Sequence, residues 1–126
     1  MTARQVDTRV PNYLRTHRKR IGLSQRELAK TLGFYDESPV SRHERFESTP
    51  PLSVAIGYEV IFRVPVSEIF AGLRNRVEKD VENRLRDLQN ALGERSAKDR
   101  GSIAVARKLM WLSERWDAQD DSAPFL

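Results

Sequence analysis

The 126-residue chain has no cysteine, which excludes disulfides, thiol catalysis and thiolate metal sites. Its two histidines, His17 and His43, are not at metal-ligand spacing, so neither a metal nor a cofactor is expected. No apolar run approaches the roughly 20 residues needed to span a bilayer, and the N-terminus has no apolar signal-peptide core. A cytoplasmic chain without membrane contact is therefore the expectation. The run Ser41-Arg42-His43-Glu44 offers chemistry-bearing side chains, but neighbours one or two apart on a helix point in different directions. With no nucleophile–base or acid pair indicated, no catalytic residue is expected, and the chain does not read as an enzyme.

Charge is what the sequence has in quantity. Asp, Glu, Lys and Arg make up 32%, and the net charge is +4. Residues 1–73 hold eleven Lys/Arg against eight Asp/Glu, and the remainder eleven against ten. The excess clusters at Arg15, Arg18, Lys19, Arg20, Arg26 and Lys30, which favours an anionic partner. Taken alone, such a cluster is more often a solvated face.

The apolar spacing is helical throughout, and an all-α chain is expected. Residues 1–10 read as a flexible arm. Pro11 suits a first helical position, and Gly22 ends that helix. Ser24 and Glu27 make a capping box for a second helix starting at Gln25 and ended by Gly33. Ser38-Pro39 reads as another start, with the serine as cap and the helix running from Pro39 to about Phe46. A fourth helix carries Leu52 to Phe62, and a short fifth carries Val66, Ile69 and Phe70. Beyond Arg74, Val77, Val81, Leu85, Leu88 and Leu92 form one stripe on a long helix. The segment Gly93–Gly101 reads as a polar loop, followed by a further helix bearing Leu109, Leu112 and Trp116. Residues 119–126 read as a loose tail.

The stretches LRTHRKRIGLSQRELAKTLG, VSRHE and PPLSVAIGYEVIFRVPVSEIF make residues 13–70 resemble the helix-turn-helix family of phage repressor and Cro (XRE-like) proteins. The resemblance covers a little under half the chain. It implies a five-helix DNA-binding domain at 11–73, to which the apolar stripes beyond Arg74 add a two-helix C-terminal region at 74–118. Six residues separate Gly33 from Val40 where the family usually has five, and Phe46 and Arg63 stand where it commonly has glycine. Pro65 occupies a usual capping position.

A set of roles follows from the resemblance. Val40 anchors the third helix so that its other face turns to the major groove. Glu37, Ser38, Ser41 and Arg42 become base readers, Arg42 by pairing with guanine. Ser24, Gln25, Arg26 and Arg45 become phosphate contacts. Arg18 and Glu44 form a partly buried brace fixing the third helix. Blander roles stay open: Asp36 and Glu37 suit a helix start, Ser38 a cap, and His43 the edge of the core.

The expected function is a sequence-specific transcriptional regulator, a homodimeric repressor reading an inverted repeat in double-stranded DNA. The expected dimer surface is Leu85, Leu88, Leu92, Leu109, Leu112 and Trp116, with closure of the same stripe as an intrachain hairpin the alternative. The alternative is an antitoxin-like or adaptor protein whose C-terminal helices bind a partner protein or effector, with DNA binding secondary.

Overall fold

The computed structural model describes residues 9–98 and 101–121, with side chains up to Ala118. Seven α-helices and no strand lie among these residues: α1 (Leu14–Ile21), α2 (Gln25–Thr31), α3 (Ser38–Glu44), α4 (Leu52–Phe62), α5 (Val66–Ile69), α6 (Ala71–Lys98) and α7 (Ile103–Asp121). The all-α expectation holds. The chain divides into two compact units, residues 1–78 and residues 79–126.

The core of the first unit is Leu14, Leu28, Ala29, Val40, Tyr58, Phe62, Ile69 and Phe70, drawn from every helix of that unit except the start of α6. Six of these side chains are fully buried, with Tyr58 the largest. Each fully buried Leu, Ile or Val contributes about 1.5–3 kcal/mol. α3 packs on both α1 and α2, and α4 on α5. Gly57 permits the close approach of α4 to the end of α2, since a Cβ there would lie 2.6 Å from Leu32 Cδ2.

The caps explain where several helices start. α2 has the expected capping box, with Ser24 Oγ accepting from Glu27 N at 3.0 Å and Glu27 Oε1 from Ser24 N at 2.9 Å. The same bonds hold the Glu27 carboxyl below its ordinary pKa. α1 starts three residues later than Pro11 suggests. The Tyr13 N–H donates to Ile69 O at 2.9 Å, and Asn12 Oδ1 accepts from Leu14 N at 3.0 Å, so the chain enters the helix from a tertiary contact. α3 begins at Ser38, not Pro39, and ends at Glu44 instead of near Phe46. Ser38 does not cap it: Asp36 Oδ1 accepts from Ser38 N at 2.8 Å, and that bond lowers the Asp36 pKa. α5 is capped from another helix, by Glu59 Oε1 accepting from Val66 N at 2.8 Å.

Gly33 leaves α2 with φ of 87°, as its place in the sequence suggests. Two further turns use the left-handed region without glycine: Phe46 at φ 63° and Arg63 at φ 56°. A side chain in that region costs roughly 1–2 kcal/mol.

In the second unit the end of α6 and α7 form a hairpin whose buried residues are Leu92, Val105 and Leu112, with Leu85 and Leu109 packed against them. The polar loop expected at Gly93–Gly101 is corrected, because α6 continues to Lys98. One helical glycine costs only about 1 kcal/mol, and the adjoining Leu92 is buried against α7, which holds the helix together past Gly93. Ser102 Oγ then accepts from Val105 N at 3.3 Å and starts α7. The loose tail is corrected for residues 119–121, which belong to α7. No glycine or proline follows Gly101 until Pro124. Residues 1–8 of the expected arm and residues 122–126 of the tail lie outside the described residues.

Candidate nucleic-acid interface

The first unit holds α3 from three sides, and the fastenings decide which face is left over. Val40, His43 and Glu44 form its buried face. At 3.6 residues per turn, the opposite side falls to Ser38, Ser41, Arg42 and Arg45. Ser38, Arg42 and Arg45 are exposed and Ser41 is half-buried. Glu37, the residue before the helix, is exposed as well.

Glu44 is the centre of the fastening. Arg18 donates to it through two nitrogens, Nε to Oε2 at 2.6 Å and Nη2 to Oε1 at 3.0 Å. Gln25 Nε2 adds a third donor to Oε1 at 3.1 Å. The remaining arm of Arg18, Nη1, donates to Leu23 O at 2.9 Å. One guanidinium thereby ties α1 to the chain entering α2 and to the last turn of α3. The hydrogen bonds to Glu44 outweigh burial and raise the Arg18 pKa. This two-pronged geometry is what arginine supplies and lysine does not.

His43 is the second fastening. Its ring Nδ1 lies 2.8 Å from the Tyr58 hydroxyl, and its backbone carbonyl accepts from Asn12 Nδ2 at 2.9 Å. The ring stands edge-on to Tyr58, which stacks on Phe62. Burial, aided by the charge of Arg42, pushes the His43 pKa down. Burial, with the charge of Glu44, pushes the Tyr58 pKa up. Both groups are therefore neutral beneath α3 at neutral pH.

The sequence-expected residues divide by what already engages them. Arg18 and Glu44 meet as expected from the resemblance. Ser24 gives its hydroxyl to the α2 cap, and Gln25 gives an amide proton to Glu44, so both act within the fold. Arg26, Lys30 and Arg42 are exposed. Arg45 is exposed too, held over its own helix by a bond from Nε to Ser41 O at 3.4 Å and by Glu47 at 3.3 Å. Leu92 and Leu112, expected at a dimer surface, are buried within one chain by the α6–α7 hairpin. Trp116 belongs to the same hairpin: its Nε1 donates to Gln89 Oε1 at 2.9 Å, and the Arg86 guanidinium lies 4.3 Å from its ring centroid. Leu85 and Leu109 line that hairpin core, and Leu88 is exposed.

Sequence reasoning missed Asn12 and Tyr58 and gave Gln25 a different partner. Asn12, Gln25 and Tyr58 each reach α3 across long sequence separation, and no local pattern announces such a bond. It also passed over Tyr35, which stands fully exposed between α2 and α3 while its neighbour Phe34 packs inward near His43. Among the described residues no group of three or more His, Cys, Asp or Glu is gathered that could hold a metal ion. No helix among them is long and apolar enough to cross a membrane.

Comparison with protein-family models, with curated proteins and with solved structures returns no match to this chain.

Proposed function

We propose that the chain is a sequence-specific DNA-binding transcriptional regulator of the helix-turn-helix type, acting as a dimer. The observation that carries this reading is the division of α3 into two faces. One is locked into the core by Val40, His43 and Glu44, and the other offers Ser38, Ser41, Arg42 and Arg45 outward. A rigid helix with an outward polar and basic face suits the major groove, where the first turns of a recognition helix meet base edges. The exposed cations Arg26 and Lys30 on α2 flank that face in sequence and suit phosphates.

Two further points support the resemblance. Phe46 and Arg63, which stand where the family commonly has glycine, both take positive φ. The buried Arg18–Glu44 pair is the brace that the resemblance implies.

In this reading Arg42 pairs with a guanine, and Ser41, Ser38 and Glu37 complete the base contacts. Arg26 and Arg45 hold phosphates, with Glu47 exchanged for a phosphate oxygen at Arg45. Ser24 and Gln25 place the start of α2 and through it the brace. Asp36 fixes the start of α3, and Glu37 selects against sites that lack a matching donor. Two such helices in a dimer would enter successive major grooves about 34 Å apart and require an inverted repeat.

Selection of bound duplexes from a random pool, at moderate salt, tests this. Enrichment of an inverted repeat supports the reading, whereas binding that is only salt-sensitive and sequence-blind contradicts it. The rival function, a partner-binding module, draws on the exposed Met110 and Trp111 of α7. The same selection separates it, because that module enriches no sequence.

A further inference from the structure

The α6–α7 hairpin leaves a second apolar face uncovered. Val105, Leu109, Leu112 and Trp116 line the side of α7 turned to α6. On the other side, Ile103 is 69% exposed, Met110 64% and Trp111 51%. At 3.6 residues per turn, Ile103, Arg107, Met110 and Glu114 fall in one narrow arc, with Trp111 along its edge. Tryptophan and methionine left open on a helix are the residues enriched at protein interfaces.

A pair of helices buries little apolar surface by itself. Among the described residues its buried side chains are Leu92, Val105 and Leu112. A core this small gains from a disulfide, a metal or association, and the chain has no cysteine.

The charges on this face select the occupant. Arg107 and Glu114 are both exposed and lie seven residues apart, two turns along the same arc, on either side of Met110 and Trp111. Neither is engaged in an ion pair among the described residues. A two-fold interface brings residue i against j and j against i. We propose that a second copy of this chain docks antiparallel on the outer face of α7, centred between Met110 and Trp111.

That register sets Arg107 against Glu114 of the second copy, twice over by symmetry, and lays Met110 against Trp111 of the second copy. A parallel pairing would place Arg107 against Arg107 and Glu114 against Glu114, which like charges oppose. The face is self-complementary in one direction only. The surface differs from the Leu85–Leu92 and Leu109–Trp116 stripe, which closes within the chain. The proposal deepens the dimeric reading above, and its test involves no DNA, so it can fail while α3 still reads a sequence.

The test is sedimentation equilibrium of the full chain across the micromolar range, with Arg107→Glu, Glu114→Arg and the double variant. Circular dichroism checks that helix content is unchanged. The unaltered chain should be a dimer, and each single reversal should weaken it on the order of a hundredfold, since two attractive pairs become two repulsive ones. The double variant should recover most of the affinity. Met110→Glu, at an exposed position, should abolish the dimer without unfolding the chain. A monomeric unaltered chain overturns the proposal. So does a dimer indifferent to either single reversal, or a double variant no better than the singles.

Discussion

Leu28 in the first unit and Leu112 in the second are both fully buried, yet the protein around them differs greatly. Leu28 sits in a core fed by five helices, with aromatic rings of Tyr58, Phe62 and Phe70 and the braces of Arg18 and Asn12 at its border. Leu112 sits between two helices, with Leu92 and Val105 as its buried companions. The first unit fixes side chains from several directions and can hold one face of α3 outward at a set angle. The second fixes its helices along a single seam and keeps an apolar face open. The proposed recognition of DNA draws on the first kind of construction, and the proposed association on the second.

The comparison breaks hardest at the brace. Glu44→Ala leaves the Arg18 guanidinium buried without its carboxylate, a change that costs about 3–5 kcal/mol. Urea unfolding should show that loss in the first unit, and an unchanged midpoint would mean the brace is an ornament of α3. Next come matched truncations. Leu28→Ala and Leu112→Ala should each cost about 2–5 kcal/mol locally. Hydrogen exchange should spread the Leu28→Ala effect over α1 to α5, while Leu112→Ala should lose protection only in α7 and the end of α6. Equal spreading of both would erase the distinction between the units.

Two smaller effects sharpen the picture of the first unit. Arg63 is an exposed residue at positive φ, so Arg63→Gly should stabilise by about 1 kcal/mol, read as a raised Tm. His43 makes the first unit sensitive to acid. Its folded-state pKa is depressed by burial, so the unfolded chain binds the proton first. Stability is then complete above the ordinary histidine value of about 6.5. It falls as pH drops below that value, and levels off only beneath the folded-state pKa. His43→Asn should flatten this slope, and a slope that survives would assign it to another group.

What could be read from the sequence followed from how local its cause was. The Ser24–Glu27 box and the turn at Gly33 depend on residues within a few positions, and both stand where expected. Leu14, Leu28, Ala29 and Ile69 lie at helical spacing, and Val40 was legible as the anchor of α3 through the resemblance. The Arg18–Glu44 pair, 26 residues apart, was legible only through the resemblance to a known family. Gln25 to Glu44 and Asn12 to the His43 carbonyl had no such guide. The segment from Gly93 to Lys98 carries the polar composition of a loop, and its helix is decided by Leu92 packing on α7. Likewise, Leu92 and Leu112 formed a stripe whose periodicity is the same for either covering partner. Only three-dimensional packing shows that the chain covers this stripe itself, and that the open face carries Met110 and Trp111 instead.

The reading of α3 as a base-contacting helix is tested most directly by paired duplex selections with the unaltered chain and with Arg42→Ala. An inverted-repeat consensus is expected for the first, and for the second the same repeat with preference relaxed at one base position in each half-site, a loss of roughly 1–3 kcal/mol of discrimination there. An Arg42→Ala consensus identical to the original, or no consensus from the unaltered chain, would contradict it.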